Sequence, residues 1–258
     1  MKKIISILLV FLLFANHVYA EETSNYINKQ KAIISQEEYN NLKSNGFTTS
    51  EIETLDKFTI EKNKNLKGKV LLQNEHLHNN IARNIQNGYV ETEYKKITTT
   101  ITEFSNFFRY KITVEWKKMP YYRSYDIIGI GKNSNVSING NINFVQNYCY
   151  KNGECSSSYD FYSNYGDNGF GALFQLPPSK NVNSIIITLF YNVKKSNESN
   201  TITRLDAYGD YKHATKNISL KNAKKFSIQG ELGIELEQSI SSYYDNISIA
   251  HAFKTGSW

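Results

Sequence analysis

A chain of 258 residues, 40% apolar and 14% aromatic, carries enough hydrophobic material for one large domain or for a domain with a small addition. Its formal charge of +6 falls to +4 when Lys2 and Lys3 are set aside. The remaining basic residues are interleaved with acidic ones, as where Glu91 and Glu93 stand beside Lys95 and Lys96, which excludes the basic stripe of a nucleic-acid binder.

The chain opens with Lys2 and Lys3, an apolar run from Ile4 to Phe14, and Val18-Tyr19-Ala20 before Glu21. A charged start, a short apolar centre and a small residue before the cut are the parts of a secretory signal peptide, here residues 1–20. The run breaks at Asn16 and His17, well short of the roughly 20 apolar residues that span a bilayer. The expectation is export to the extracellular space without a transmembrane anchor.

Residues 21–68 read as helical. Ser35 with Glu38 forms a capping box, opening a helix that carries Tyr39 and Leu42 and stops at Asn45-Gly46. Thr48 with Glu51 forms a second box, and Phe47 with Ile52 fits a hydrophobic staple. Ile52, Leu55 and Phe58 then share a face. Helices this short must dock on something. The polar run from Glu61 to Lys69 reads as a linker or helix end.

From Tyr89 the period changes to two. Phe108, Tyr110, Ile112, Val114 and Trp116 alternate with Arg109, Lys111, Thr113 and Glu115, the pattern of a half-buried strand. A turn at Ser105-Asn106 places Ile101 opposite Tyr110 and Ile97 opposite Val114, so the apolar faces coincide. This hairpin over residues 95–118 has two readings. It is a sandwich hairpin with one face on the core, or an amphipathic stem whose arms match the roughly 9–11 residues of a transmembrane β-strand, as in a β-pore-forming toxin-like protein.

The stretches 42–55, Arg109–Trp116 and Arg123–Gly131 together resemble secreted proteins of spore-forming Gram-positive bacteria. That family carries no established activity, so the resemblance implies secretion and adds no mechanism.

Further strands are expected at Ser124–Ile130, Val136–Phe144, Ala172–Leu176, Ser184–Val193, Thr201–Tyr208 and Glu231–Glu237. Keeping Val136, Ile138, Ile142 and Phe144 on one face favours a continuous strand through Asn139-Gly140, with Gly140 as a bulge. Ile185–Tyr191 is apolar on both parities and suits a central strand. Cys149 and Cys155 are the two cysteines of the chain, and outside a cell such a pair is bridged. A three-residue loop, Lys151-Asn152-Gly153, sets Cys149 directly opposite Cys155, whereas a two-residue turn would oppose Cys149 to Ser156. Many short strands without βα alternation make residues 69–258 an antiparallel β-sandwich-like domain, preceded by a small two-helix N-terminal appendage.

Tyr148, Tyr150, Tyr159, Tyr162 and Tyr165 stand among Phe161, Phe170 and Phe174 and many Ser, Asn, Asp and Gly residues. Exposed, these tyrosines suit a cell-wall glycan or host surface; buried, such rings plug the end of a sandwich. Tyr121, Tyr122 and Tyr125 invite the same two readings. Asp160, Asp167, Asn168 and Gly169 have oxygen donors for a calcium turn without the spacing of a dedicated loop. His76 and His78 have no evident third metal ligand. Asp206, Asp210 and His213 are the nearest thing to an acid/base set, with no nucleophile motif beside them. The expected role is non-enzymatic binding of an extracellular ligand, with no cofactor, no metal and no catalytic residue assigned.

Overall fold

The computed structural model describes residues 25–71, 88–197, 199 and 201–258. The expected export signal and the His76–His78 pair lie outside the described residues. The elements in chain order are β1 (Tyr26–Ile27), β2 (Ile33–Ile34), α1 (Gln36–Ser44), α2 (Thr49–Thr54), α3 (Lys57–Asn63), β3 (Lys69–Val70), β4 (Tyr89–Glu91), β5 (Lys95–Glu103), β6 (Phe108–Trp116), β7 (Tyr125–Lys132), β8 (Val136–Ile138), β9 (Asn143–Tyr150), β10 (Cys155–Ser158), β11 (Tyr162–Gly166), β12 (Gly169–Gln175), β13 (Val182–Lys195), β14 (Arg204–Lys212), α4 (Leu220–Ala223), β15 (Phe226–Ile228), β16 (Ile234–Leu236), α5 (Gln238–Ser241) and β17 (Ala250–Thr255).

Among the described residues most strands form two large antiparallel sheets, while β1-β2 and β15-β16 are small two-stranded antiparallel sheets. The first runs β10-β9-β13-β6-β5-β3, with β4 also on β5 and β8 also on β13; the second runs β11-β12-β7-β14-β17. Ile97, Ile112 and Val114 from the first face Ile128, Ile130 and Ala207 from the second, so the shared core of a β-sandwich lies between them. Where β14 crosses β5 the sheets come so close that a Cβ on Gly209 would lie 1.9 Å from Thr99 Oγ1. Only a residue without a side chain fits there.

The β5–β6 register is the expected one, with Ile101 opposite Tyr110 and Ile97 opposite Val114. The hairpin has no detached edge: β6 lies between β13 and β5, as a sandwich hairpin does and a free stem does not. One expectation is corrected. β6 is buried on both faces, because Arg109, Lys111 and Thr113 on its polar face are covered by the N-terminal helices. There Lys111 Nζ meets Glu51 Oε2 at 2.7 Å and Arg109 Nη1 meets Asn63 Oδ1 at 2.8 Å. Leu42, Phe47, Ile52, Leu55 and Ile60 pack with Phe190 of β13 in a separate apolar layer on this outer face.

Both capping boxes are present, at Ser35/Glu38 and Thr48/Glu51. Phe58, however, does not share the face of Ile52 and Leu55. Leu55 is extended and Asp56 caps a third helix, α3, which turns Phe58 outward to 57% exposure. The start of the expected linker is the end of this helix. Near Gly140 the course is continuous but interrupted: β8 and β9 pair in turn with β13, and residues 139–142 bulge opposite Tyr191 and Asn192. The second sheet's outer face is covered by β15, β16, α4 and α5 through Phe226, Ile228, Ile234 and Ile240 packed on Ile127 and Leu173.

Candidate functional site

The Cys149 hairpin is the local device that positions the tyrosines. Gly153 adopts φ +88°, Gly153 N–H donates to Tyr150 O at 2.9 Å, and Tyr150 N–H donates to Glu154 O at 2.8 Å. Cys149 and Cys155 are therefore directly opposed and bridged. Alternation along β9 then sends Tyr148 and Tyr150 to one side, where their rings meet edge to face at 5.6 Å. They line a cleft of about 650 Å³ together with Tyr162, Asp160 and the Pro177-Pro178 segment. Burial, and then Tyr150 beside it, pushes the Tyr148 phenol up, so it remains a neutral hydrogen-bond donor.

Gln146, two residues before Tyr148, lines the same cleft and is 3% exposed. Its Nε2 donates to Gln175 O at 3.2 Å, while its Oε1 is buried with no hydrogen-bond partner among the described residues. A buried acceptor without a donor costs roughly 1–3 kcal/mol, so Gln146 lines the cleft as a polar group not fully compensated by its surroundings.

The five expected tyrosines do not form one face. Tyr159 lies on a second cleft of about 200 Å³ beneath α3, edge-on to Phe58 at 6.0 Å, its phenol pushed up to about 12 chiefly by burial. Tyr165, 63% exposed, stands on β11 opposite Phe170. Phe161, Phe170 and Phe174 do plug the sandwich, packing against or within its core. Tyr121 is 90% exposed with Tyr122 against it, while Tyr125 joins the lining of the tyrosine cleft.

The expected acid/base set is not assembled. Asp206 binds His251 Nε2 at 2.8 Å and Arg204 Nε at 2.9 Å. Burial raises its carboxyl, but those two partners together hold it below the usual range. Asp210 pairs with Lys212 at 3.2 Å and accepts from Ile234 N–H at 2.9 Å, and burial pushes it up. His213 turns to the opposite side of β14 and meets Asp126 through Nδ1 at 2.9 Å. The calcium turn is likewise apart, Asp160 preceding β11 and Asp167 following it. Among the described residues no cluster of three or more His, Cys, Asp or Glu side chains could hold a metal ion.

A polar group between the sheets escaped the sequence reading. Asp126, fully buried, accepts from Tyr211 Oη, from His213 Nδ1 and, at 2.9 Å, from Ala214 N–H. Lys95 and Asp245 lie in the same space. The signal that marks it is parity: Lys95 shares the apolar side of β5 with Ile97 and Ile101, and Asp126 that of β7 with Ile128 and Ile130. A charge on the core side of a strand needs a partner there.

No family model matches the chain, and no curated protein does. Among solved structures it is similar to the pilus backbone RrgB of Streptococcus pneumoniae at 10% identity and TM-score 0.30, over 43% of this chain and 26% of that one. It is also similar to the KRT10-binding region domain of the pneumococcal serine rich repeat protein PsrP at 14% identity and TM-score 0.26, over 45% of this chain and 77% of that one. The chain thus spans about a quarter of the pilus backbone. Likenesses this partial assign neither family nor function. Among the described residues no helix is long and apolar enough to cross a membrane.

Proposed function

We propose that the protein is exported and binds an extracellular carbohydrate, foremost a cell-wall glycan, in the cleft of Tyr148, Tyr150 and Tyr162. The observation that carries this reading is the lining of the cleft, where Tyr148, Tyr150 and Tyr162 converge with Asp160. Sugars present flat C–H faces rimmed with hydroxyls. Tyrosine rings supply the apolar half of that match, and Asp160 and the phenols supply the polar half. The Cys149–Cys155 bridge supports an oxidising compartment, in keeping with the signal-like first twenty residues.

Titration calorimetry with soluble peptidoglycan glycan-strand fragments tests this. Tyr148→Ala, Tyr150→Ala and Tyr162→Ala are each expected to weaken binding about tenfold, ~1.4 kcal/mol, while Tyr165→Ala on β11 leaves it unchanged. No binding by the native protein, or equal affinity in all four variants, overturns the reading.

A further inference from the structure

Lys95 enters the space between the sheets and is 2% exposed. Its Nζ lies 2.5 Å from Asp245 Oδ2, the one side-chain acceptor it has among the described residues. The rings of Trp116 and Tyr211 flank it, each centroid 4.8 Å away. Asp245 sits in the loop between α5 and β17 and is held twice by His213: its N–H donates to His213 O at 2.9 Å, and its Oδ1 accepts from His213 N–H at 2.8 Å. Asp126, which accepts the Tyr211 hydroxyl, is a second carboxylate whose charge acts on Lys95.

An ammonium with one anionic partner and two ring faces is poorly solvated. Burial lowers the Lys95 amine accordingly, against the pull of Asp245. An amine and a carboxyl held in contact, largely away from water, are the two halves of an amide. Fixed proximity of this kind corresponds to effective concentrations of roughly 10⁵–10⁸ M.

We propose that Lys95 and Asp245 condense into an intramolecular isopeptide bond, tying the start of β5 in the first sheet to the loop before β17 in the second. The step is balanced without any co-reactant. One ammonium proton passes across the short contact to Asp245 Oδ2, and the amine lone pair forms the C–N bond at Cγ. The oxyanion developing on Oδ1 is held by the His213 N–H already donating to it. A second proton leaves nitrogen for Asp126, which returns it to the hydroxyl on Oδ2; the C–O bond breaks and water departs. The third proton remains as the amide N–H. The bond is independent of any glycan in the tyrosine cleft, so failure of either reading leaves the other standing.

Intact mass and peptide mapping of the purified full chain, processed as the producing cell processes it, decide the matter. The native protein is expected to be lighter than its disulfide-bridged sequence by the mass of one water. A branched tryptic peptide should join Lys95 to Asp245, with no cleavage after Lys95. Asp245→Asn is expected to close the same bond while losing ammonia, and Asp245→Ala and Lys95→Met to show the full sequence mass. Asp126→Asn, folded by circular dichroism, should remain unlinked; if it links, the relay through Asp126 is wrong. A folded native protein at full mass overturns the proposal. So does a water loss confined to one linear peptide around Asp245, which marks a cyclic imide.

Discussion

Lys111 and Lys95 are buried lysines on adjacent strands, each against a carboxylate, and their surroundings differ in kind. Lys111 Nζ donates to both oxygens of Glu51, at 2.9 and 2.7 Å, and to Thr113 Oγ1 at 3.0 Å. Glu51 in turn accepts from Thr113 and Thr188 hydroxyls and from Thr48 N–H at 2.9, 2.8 and 2.7 Å. Burial raises the Glu51 carboxyl, but Lys111 and these donors together hold it below the usual range, so the pair keeps its charges. Among the described residues Lys95 has one carboxylate oxygen and two aromatic rings. Burial is common to both sites. What separates a structural ion pair from a reactive one is the number of hydrogen bonds that replace water.

The sharpest way to break this comparison is Lys95→Met together with Asp245→Asn, which removes both charges and leaves the Asp245 position its acceptor for His213 N–H. If the two were only an ion pair among rings, replacing both by uncharged side chains of similar size would be close to neutral. If they close a loop between residues 150 apart, the chain-entropy argument for cross-links gives a loss of about 5 kcal/mol in denaturant unfolding. Next in size is Glu51→Ala, which leaves Lys111 charged and uncompensated and is expected to cost about 3–5 kcal/mol. The double change Glu51→Leu with Lys111→Met should recover most of that loss, and a double variant no better than the single one would mean the surrounding hydroxyls, not the charge, carry the cost. Thr188→Val removes one hydrogen bond to the carboxylate, with an expected cost of about 1.5–3 kcal/mol.

The smallest effect is one of pH. Because the Glu51 carboxyl is held low in the folded protein, its contribution is fully present above its unfolded value of about 4.3 and is lost as the pH falls from there through the folded value. Protection factors in α2, with exchange corrected for its intrinsic pH dependence, should therefore fall below about pH 4.3 and stay constant between neutral pH and that point. An amide at Lys95 does not titrate, so the strands it joins should keep their protection over the same range.

Legibility followed distance along the chain. The Ser35 and Thr48 caps, the register Ile97–Val114 and the opposition of Cys149 to Cys155 are each settled within about twenty residues, and each was readable. The helix α3 was not, because its cap, Asp56, follows one residue after Leu55 and the pattern runs on through it. Short strands such as β10 and β11 are rich in Ser, Asn and Gly and exist by pairing with β9 and β12, so their own residues announce little. Asp126 and His213 could not be paired from a linear reading, since what joins them is the packing of β7 beside β14.

The sequence by itself determined the period of each strand, the starts of the first two helices, the hairpin register and the disulfide, because hydrogen bonds and side-chain parity within a few residues settle them. Only the tertiary structure decided that the polar face of β6 is roofed by helices and that Tyr148, Tyr150 and Tyr162 share a cleft while Tyr159 and Tyr165 do not. It likewise decided which of two buried lysines is met by several hydrogen-bond acceptors and which, among the described residues, by a single carboxylate oxygen. Those outcomes depend on which surfaces the two sheets turn toward each other, a choice made by the whole apolar core and by no single segment of it.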